Sequence, residues 1–245
     1  MLRQLADALR KQTWSTVLLE IMILVVGIFI GLQVDDWNRY RQDRNEERIY
    51  LNRLHDELLN ADKLSARVLD RRIERQQLLF GVLEVVFDDT DRQSLTADEC
   101  MTAGSLHFFN VVVSGLSAAE ELTASGRMSI LLDAELRAAL GALRQVHNAA
   151  DTYIRIQNDV ANNLTHLYPE LIKVRAYYDE DLREVYARFS CDLPAMRQNP
   201  SFLNDFSNNA DAYDAYVRDA LSPWDAQMRL VHDLLDRNLR LNHAN

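Results

Sequence analysis

The chain has 245 residues, 48% of them hydrophobic, and its 7 glycines and 4 prolines are too few turn formers for an all-β or loop-rich protein. The formal net charge is −10, and residues up to Val34 carry Arg3, Arg10 and Lys11 against Asp7 and Glu20, a surplus of one, so the remainder holds about −11. An acidic body with no Lys/Arg cluster clear of acids repels phosphate backbones, which excludes nucleic acid as an expected partner.

At the N-terminus, Leu2, Leu5 and Leu9 share one helical face, with Arg3, Arg10 and Lys11 off it. Residues 1–13 therefore read either as a short amphipathic helix lying in the headgroup layer or as a frayed tail. Residues 14–37 form the predicted transmembrane helix. Its apolar run, Thr16 to Val34, is bracketed by Trp14 and Trp37, which an α-helix separates by roughly 35 Å, a little more than the hydrocarbon thickness of a bilayer. Indole rings favour the headgroup level, so the two tryptophans mark both membrane interfaces. A cleaved signal peptide is the rival reading. The run is long for one, and the sequence that follows, Gln33-Val34-Asp35-Asp36-Trp37, offers no small-residue cleavage site.

One stripe of this helix stands out. At about 100° per residue, Thr16, Leu24, Gly27, Gly31 and Asn38 all fall within about 40° of Glu20. Gly27-x-x-x-Gly31 is the small-residue spacing that lets two helix backbones approach, and Glu20 is the only carboxyl within the apolar run from Thr16 to Val34. Thr16, Glu20, Leu24, Gly27 and Gly31 are the predicted helix-packing residues. Self-association is the expected outcome, with a different partner chain or a passive anchor as alternatives.

Orientation rests on opposing arguments. Arg39, Arg41, Arg44, Arg48 and Arg53 follow the span, against three cations before it, which favours a cytoplasmic C-terminal part. Long domains cross largely regardless of charge, however, while a short cationic tail resists translocation. The expectation is a bacterial inner-membrane protein with its N-terminus in the cytoplasm and residues 38–245 in the periplasm.

From Asn38 to Phe87 there is no proline and a single glycine, Gly81, so the helix is expected to continue as one rod of about 75 Å. Leu51, Leu54, Leu58, Ala61 and Val68 follow 3-4 spacing, and Leu78 to Phe87 is apolar nearly all round, a segment to be buried by other helices. Thr96-Ala-Asp-Glu99 and Ser117-Ala-Ala-Glu120 read as capping boxes, and Gly126 as a left-handed helix stop. Asp133 caps a long helix running towards Leu167. Pro169 opens another to about Phe189, Asn199-Pro200 a third, and Ser222-Pro223 opens or kinks a last one ending near Leu241. Phe108 to Val113 reads as a buried helical turn, with a strand as its rival. The predicted fold class is all-α: a transmembrane helix continuing into a long helix that packs in a multi-helix bundle spanning 38–245.

Catalytic signatures are missing: no zinc-protease, nucleophile-elbow, P-loop or dinucleotide motif occurs, and no His has a Glu three residues before it. The pairs His147/Asp151 and His232/Asp236 are spaced i,i+4 and read as surface hydrogen bonds, so no catalytic, metal or cofactor residues are expected. Cys100 and Cys191 lack any CxxC spacing; two buried thiols are the expected state, a disulfide in an oxidising compartment the alternative. Tyr153, Tyr168, Tyr177, Tyr178, Tyr186, Tyr213 and Tyr216 enrich the C-terminal half, as a core rim or as a ligand pocket.

The run Glu20, then Leu24 to Asn38 (Leu-Val-Val-Gly-Ile-Phe-Ile-Gly-Leu-Gln-Val-Asp-Asp-Trp-Asn), followed by an Arg/Glu-rich helix with Tyr50-Leu51, resembles the anchor of bacterial domain-of-unknown-function family 6090. Ala119 to Gly126 and Asp133 to Arg137 resemble that family's later segments more loosely. Gly31 stands where the family has alanine. The resemblance implies a single-pass helical membrane protein and no known activity. The resulting expectation is a non-enzymatic, self-associating scaffold or signal-coupling protein whose partners are the lipid bilayer, a second copy and an unidentified protein. A membrane-anchored sensor with a Tyr-rich small-molecule pocket is the alternative.

Overall fold

The computed structural model describes residues 14–88, 91–109, 115–180 and 183–241. The predicted amphipathic segment 1–13 lies outside the described residues, as does most of Phe108 to Val113. The chain divides into two units, Met1–Tyr50 and Leu51–Asn245, described separately below.

Helix α1, Trp14–Phe87, includes every described residue of the first unit. The uninterrupted run of Leu, Ile, Val, Glu, Arg and Gln without proline explains its length. Its N-terminal part, from Leu18, is long and apolar enough to cross a membrane, and none of its most apolar window is buried. Leu24 and Phe29 are each 63% exposed. Past the apolar run, Asp35 pairs with Arg39 at 2.8 Å, and the Arg41 guanidinium lies 6.0 Å from the Trp37 ring centre.

The second unit is a helical bundle. After the distal part of α1 come α2 (Ala97–Gly104), α3 (Ser117–Ala124), a single 3-10 turn, α4 (Ala134–Val160) and α5 (Leu164–Leu167). Strands β1 (Ile172–Asp179) and β2 (Glu184–Cys191) form an antiparallel hairpin, followed by α6 (Leu193–Arg197), α7 (Pro200–Ala215), a π-helical turn (Tyr216–Leu221) and α8 (Ser222–Leu239). The mostly helical class is as expected. The helix expected from Pro169 to Phe189 is not: that segment is the hairpin. Val174, Tyr177, Tyr178, Val185, Tyr186 and Phe189 are β-formers, and the Tyr177 and Tyr186 rings stack across the ladder at 6.2 Å under Arg188. The reversal lacks Gly or Pro, and Arg183 takes the left-handed conformation at φ 55°, so Asp179 and Asp181 alone hint at a turn.

Three helical columns carry the core. Gln227 donates to the Ala139 carbonyl, Tyr153 to that of Ala212, and the Asn162 side chain to Asp205, so α4 runs antiparallel to the α7–π–α8 column. The distal half of α1 is also antiparallel to that column: Gln76 donates to Asp214 and Arg197 to the Val85 carbonyl. Leu54, Leu58, Leu79, Val82, Phe202, Phe206, Tyr213 and Tyr216 are fully buried between them. Leu78, Phe80 and Phe87, expected inside, are 41%, 51% and 46% exposed, so the end of α1 buries one stripe rather than its whole girth.

Local chemistry sets the helix ends. Thr96 and Glu99 form the expected capping box, and Arg92 donates to both Glu99 oxygens, which together with the Thr96 amide holds that carboxyl down at about 2. Asp133 and Asn199 cap α4 and α7 as expected, and Gly126 takes φ +71° after α3. The capping box expected at Ser117/Glu120 is replaced by a tertiary cap. Ser117 already lies inside α3, and Glu57 of α1 accepts from its hydroxyl and from the Ala118 amide at 3.0 Å. Helix α4 ends at Val160 rather than near Leu167, and Asn163 caps the separate α5. Pro223 has no N–H and its ring crowds the carbonyl four residues back, so the column widens into the π turn, where Ser222 donates through its hydroxyl to the Val217 carbonyl at 2.8 Å.

The two cysteines, expected as free thiols, are bonded. Cys100 of α2 and Cys191 at the end of β2 form a disulfide with Cα atoms 5.7 Å apart. The hairpin base is thereby tied to the bundle where Phe189 crosses Gly104 so closely that a Cβ there would lie 2.9 Å from the ring.

Candidate functional site

The predicted anchor residues all lie on α1. Thr16 and Trp14 fall in its first turn; Glu20 and Leu24 are exposed, and nothing lies within 4 Å of the space a Cβ would take at Gly27 or Gly31. Trp37 is exposed at the far end of the apolar run. A single chain thus leaves the stripe open from Glu20 to Gly31, with two positions where a second backbone can approach closely.

The predicted tyrosines do not gather. Tyr213 and Tyr216 are core residues, ringed by Phe109. Tyr153 donates to a backbone carbonyl, and Tyr168 donates to Asp205 at 2.7 Å, a bond that pushes its phenol up to about 12. Tyr177, Tyr178 and Tyr186 stand on the hairpin. A cavity of about 450 Å³ lies instead between α3, α4 and α8. Leu116, Leu140, Leu143, Trp224 and Met228 make it apolar, Arg144 and His147 supply its polar edge, and no tyrosine is among the described lining residues.

A second constellation joins α1 to α8. His232 and Asp236, spaced i,i+4, are not the surface pair expected from spacing: their side chains are only 23% and 21% exposed. They face His55, whose side chain is 10% exposed, and Asp62. His55 Nε2 lies 3.3 Å from Asp236 Oδ1, His232 Nε2 3.7 Å from Asp236 Oδ2, and His232 Nδ1 3.1 Å from Asp62 Oδ2. The two imidazole centres are 5.8 Å apart and nearly perpendicular, at 64°. Burial raises the Asp62 carboxyl, and the adjacent His232 offsets this in part. His55, His232 and Asp236 are the described residues whose donor atoms converge closely enough to hold a metal ion. Sequence reading missed the set because it scanned for partners within one helix. The available signal was His55 and Asp62, i,i+7 on one face of α1, beside the apolar stripe that faces α8.

The described residues thus form a mostly helical bundle with a small disulfide-tied hairpin, and they include one candidate span, near the N-terminus. No family model, curated protein or solved structure matches the chain.

Proposed function

We propose that this chain is a non-enzymatic, single-pass membrane protein of the bacterial inner membrane that self-associates through its anchor and displays its bundle as a scaffold or signal-coupling domain. The observation that carries the reading is the exposed apolar run of α1 with Glu20, Gly27 and Gly31 on one stripe, a surface that lipid and a second helix together would satisfy. The resemblance of residues 20–38 to the domain-of-unknown-function family supports the same location. The Cys100–Cys191 bond supports a periplasmic bundle, because such bonds persist in oxidising compartments and are rare in the cytosol.

Fusing the anchor to a membrane self-association reporter tests the central point. Gly27→Ile with Gly31→Ile should reduce the signal at least several-fold at equal expression; an unchanged signal rejects packing through this stripe. A compartment-sensitive reporter at the C-terminus tests sidedness separately. The rival sensor reading finds its support in the cavity beside Trp224 and Arg144 rather than in the tyrosines, and a thermal shift of the full chain with small amphiphilic acids would favour it.

A further inference from the structure

We propose that His55, His232 and Asp236 bind a divalent transition-metal ion, zinc being the best match, which clasps α1 to α8. Three arguments converge on this set. The first is spacing. A tetrahedral ion with bonds of about 2.0–2.2 Å places its donor atoms about 3.3–3.6 Å apart. His55 Nε2 stands 3.3 Å from one Asp236 oxygen and His232 Nε2 3.7 Å from the other, and one donor atom from each of the three residues falls within 4.8 Å of the rest. A side-chain adjustment on the order of 1 Å brings the three donors to the spacing of a tetrahedral ion.

The second argument is the support of His232. Asp62 Oδ2 lies 3.1 Å from its Nδ1, and Nε2 is the nitrogen turned towards Asp236. A carboxylate on the far nitrogen of a histidine is the usual support for a metal ligand: it holds the ring orientation and raises the basicity of Nε2. Asp62 is the positioning residue here.

The third argument is the donor set and its access. Two imidazoles and one carboxylate suit zinc and its borderline neighbours rather than calcium or magnesium, which prefer oxygen ligands. The side chains, 10–23% exposed, are sheltered enough to hold their geometry and open enough for an ion to enter and keep a water as fourth ligand. His55 and His232 come from helices 177 positions apart in sequence, so binding would stabilise the packing of α8 on α1.

The test uses the untagged full-length chain in mild detergent, stripped with a chelator, and titrated calorimetrically with zinc chloride. One ion per chain is expected. Asp236→Asn and His55→Ala should each lower the affinity at least tenfold, and Asp62→Asn by about ten- to a hundredfold. His147→Ala, outside the cluster, should bind as the parent does. Cobalt(II) in place of zinc should give the strong visible absorption of a four-coordinate site. Circular dichroism confirms that each variant compared is folded, and the parent titration stands regardless of any variant. No stoichiometric uptake by the parent chain, or uptake that persists in folded Asp236→Asn and His55→Ala, overturns the proposal.

Discussion

Breaking the bond between Cys100 and Cys191 should destabilise the bundle measurably. The linked residues are 91 positions apart, so in the chain-entropy picture the bond removes about 16 cal/mol/K from the unfolded ensemble, or about 4.6 kcal/mol at room temperature. That figure is an upper estimate, since real unfolded chains are already compact, and a loss of about 3 kcal/mol is expected. For a chain of this size it corresponds to a fall of about 6–12 °C in Tm. Cys100 is only 1% exposed, so alanine is the replacement that avoids burying a new hydroxyl. The assay is thermal and urea denaturation of the full chain in detergent, comparing the parent, the parent with dithiothreitol, and Cys100→Ala with Cys191→Ala. The reduced parent and the double variant should shift together. A shift below about 1 kcal/mol in both would refute the entropic argument, and two reactive thiols in the native, unreduced protein would refute the bond itself.

Two further outcomes follow from the geometry. Glu57→Ala removes the tertiary cap of α3, leaving the Ser117 hydroxyl and Ala118 amide without their carboxylate, and should lower stability by about 0.5–2 kcal/mol in urea; an unchanged midpoint would mean that water replaces Glu57 without loss. The Tyr168 phenol, pushed up to about 12 by its bond to Asp205, contributes stability that is full below its ordinary value of about 10 and is lost as pH rises towards 12. The difference in phenolate absorbance between the parent and Tyr168→Phe should place that titration near 12, and Asp205→Asn should return it towards 10; a Tyr168 that already titrates near 10 in the parent removes the effect.

The sequence by itself determined the features whose causes are local. A proline-free run of good helix formers dictates α1, its apolar segment identifies the candidate span, and Thr96, Asp133, Asn199 and Gly126 begin or end helices because a side chain or a left-handed backbone acts within a few residues. The stripe of Glu20, Gly27 and Gly31 was legible for the same reason, since helical periodicity alone brings those positions to one face. What the tertiary structure decided involves partners far along the chain. The hairpin holds although its turn carries no glycine, because Cys191 is bonded to Cys100 and Phe189 lies against Gly104. Ser117 is capped by Glu57 rather than by Glu120, because α1 brings a carboxylate to the end of α3. His55 and Asp62 meet His232 and Asp236 only because two antiparallel helices bury those faces together. Sequence spacing records what is close along a helix; which helices become neighbours depends on how the whole chain buries its apolar surface.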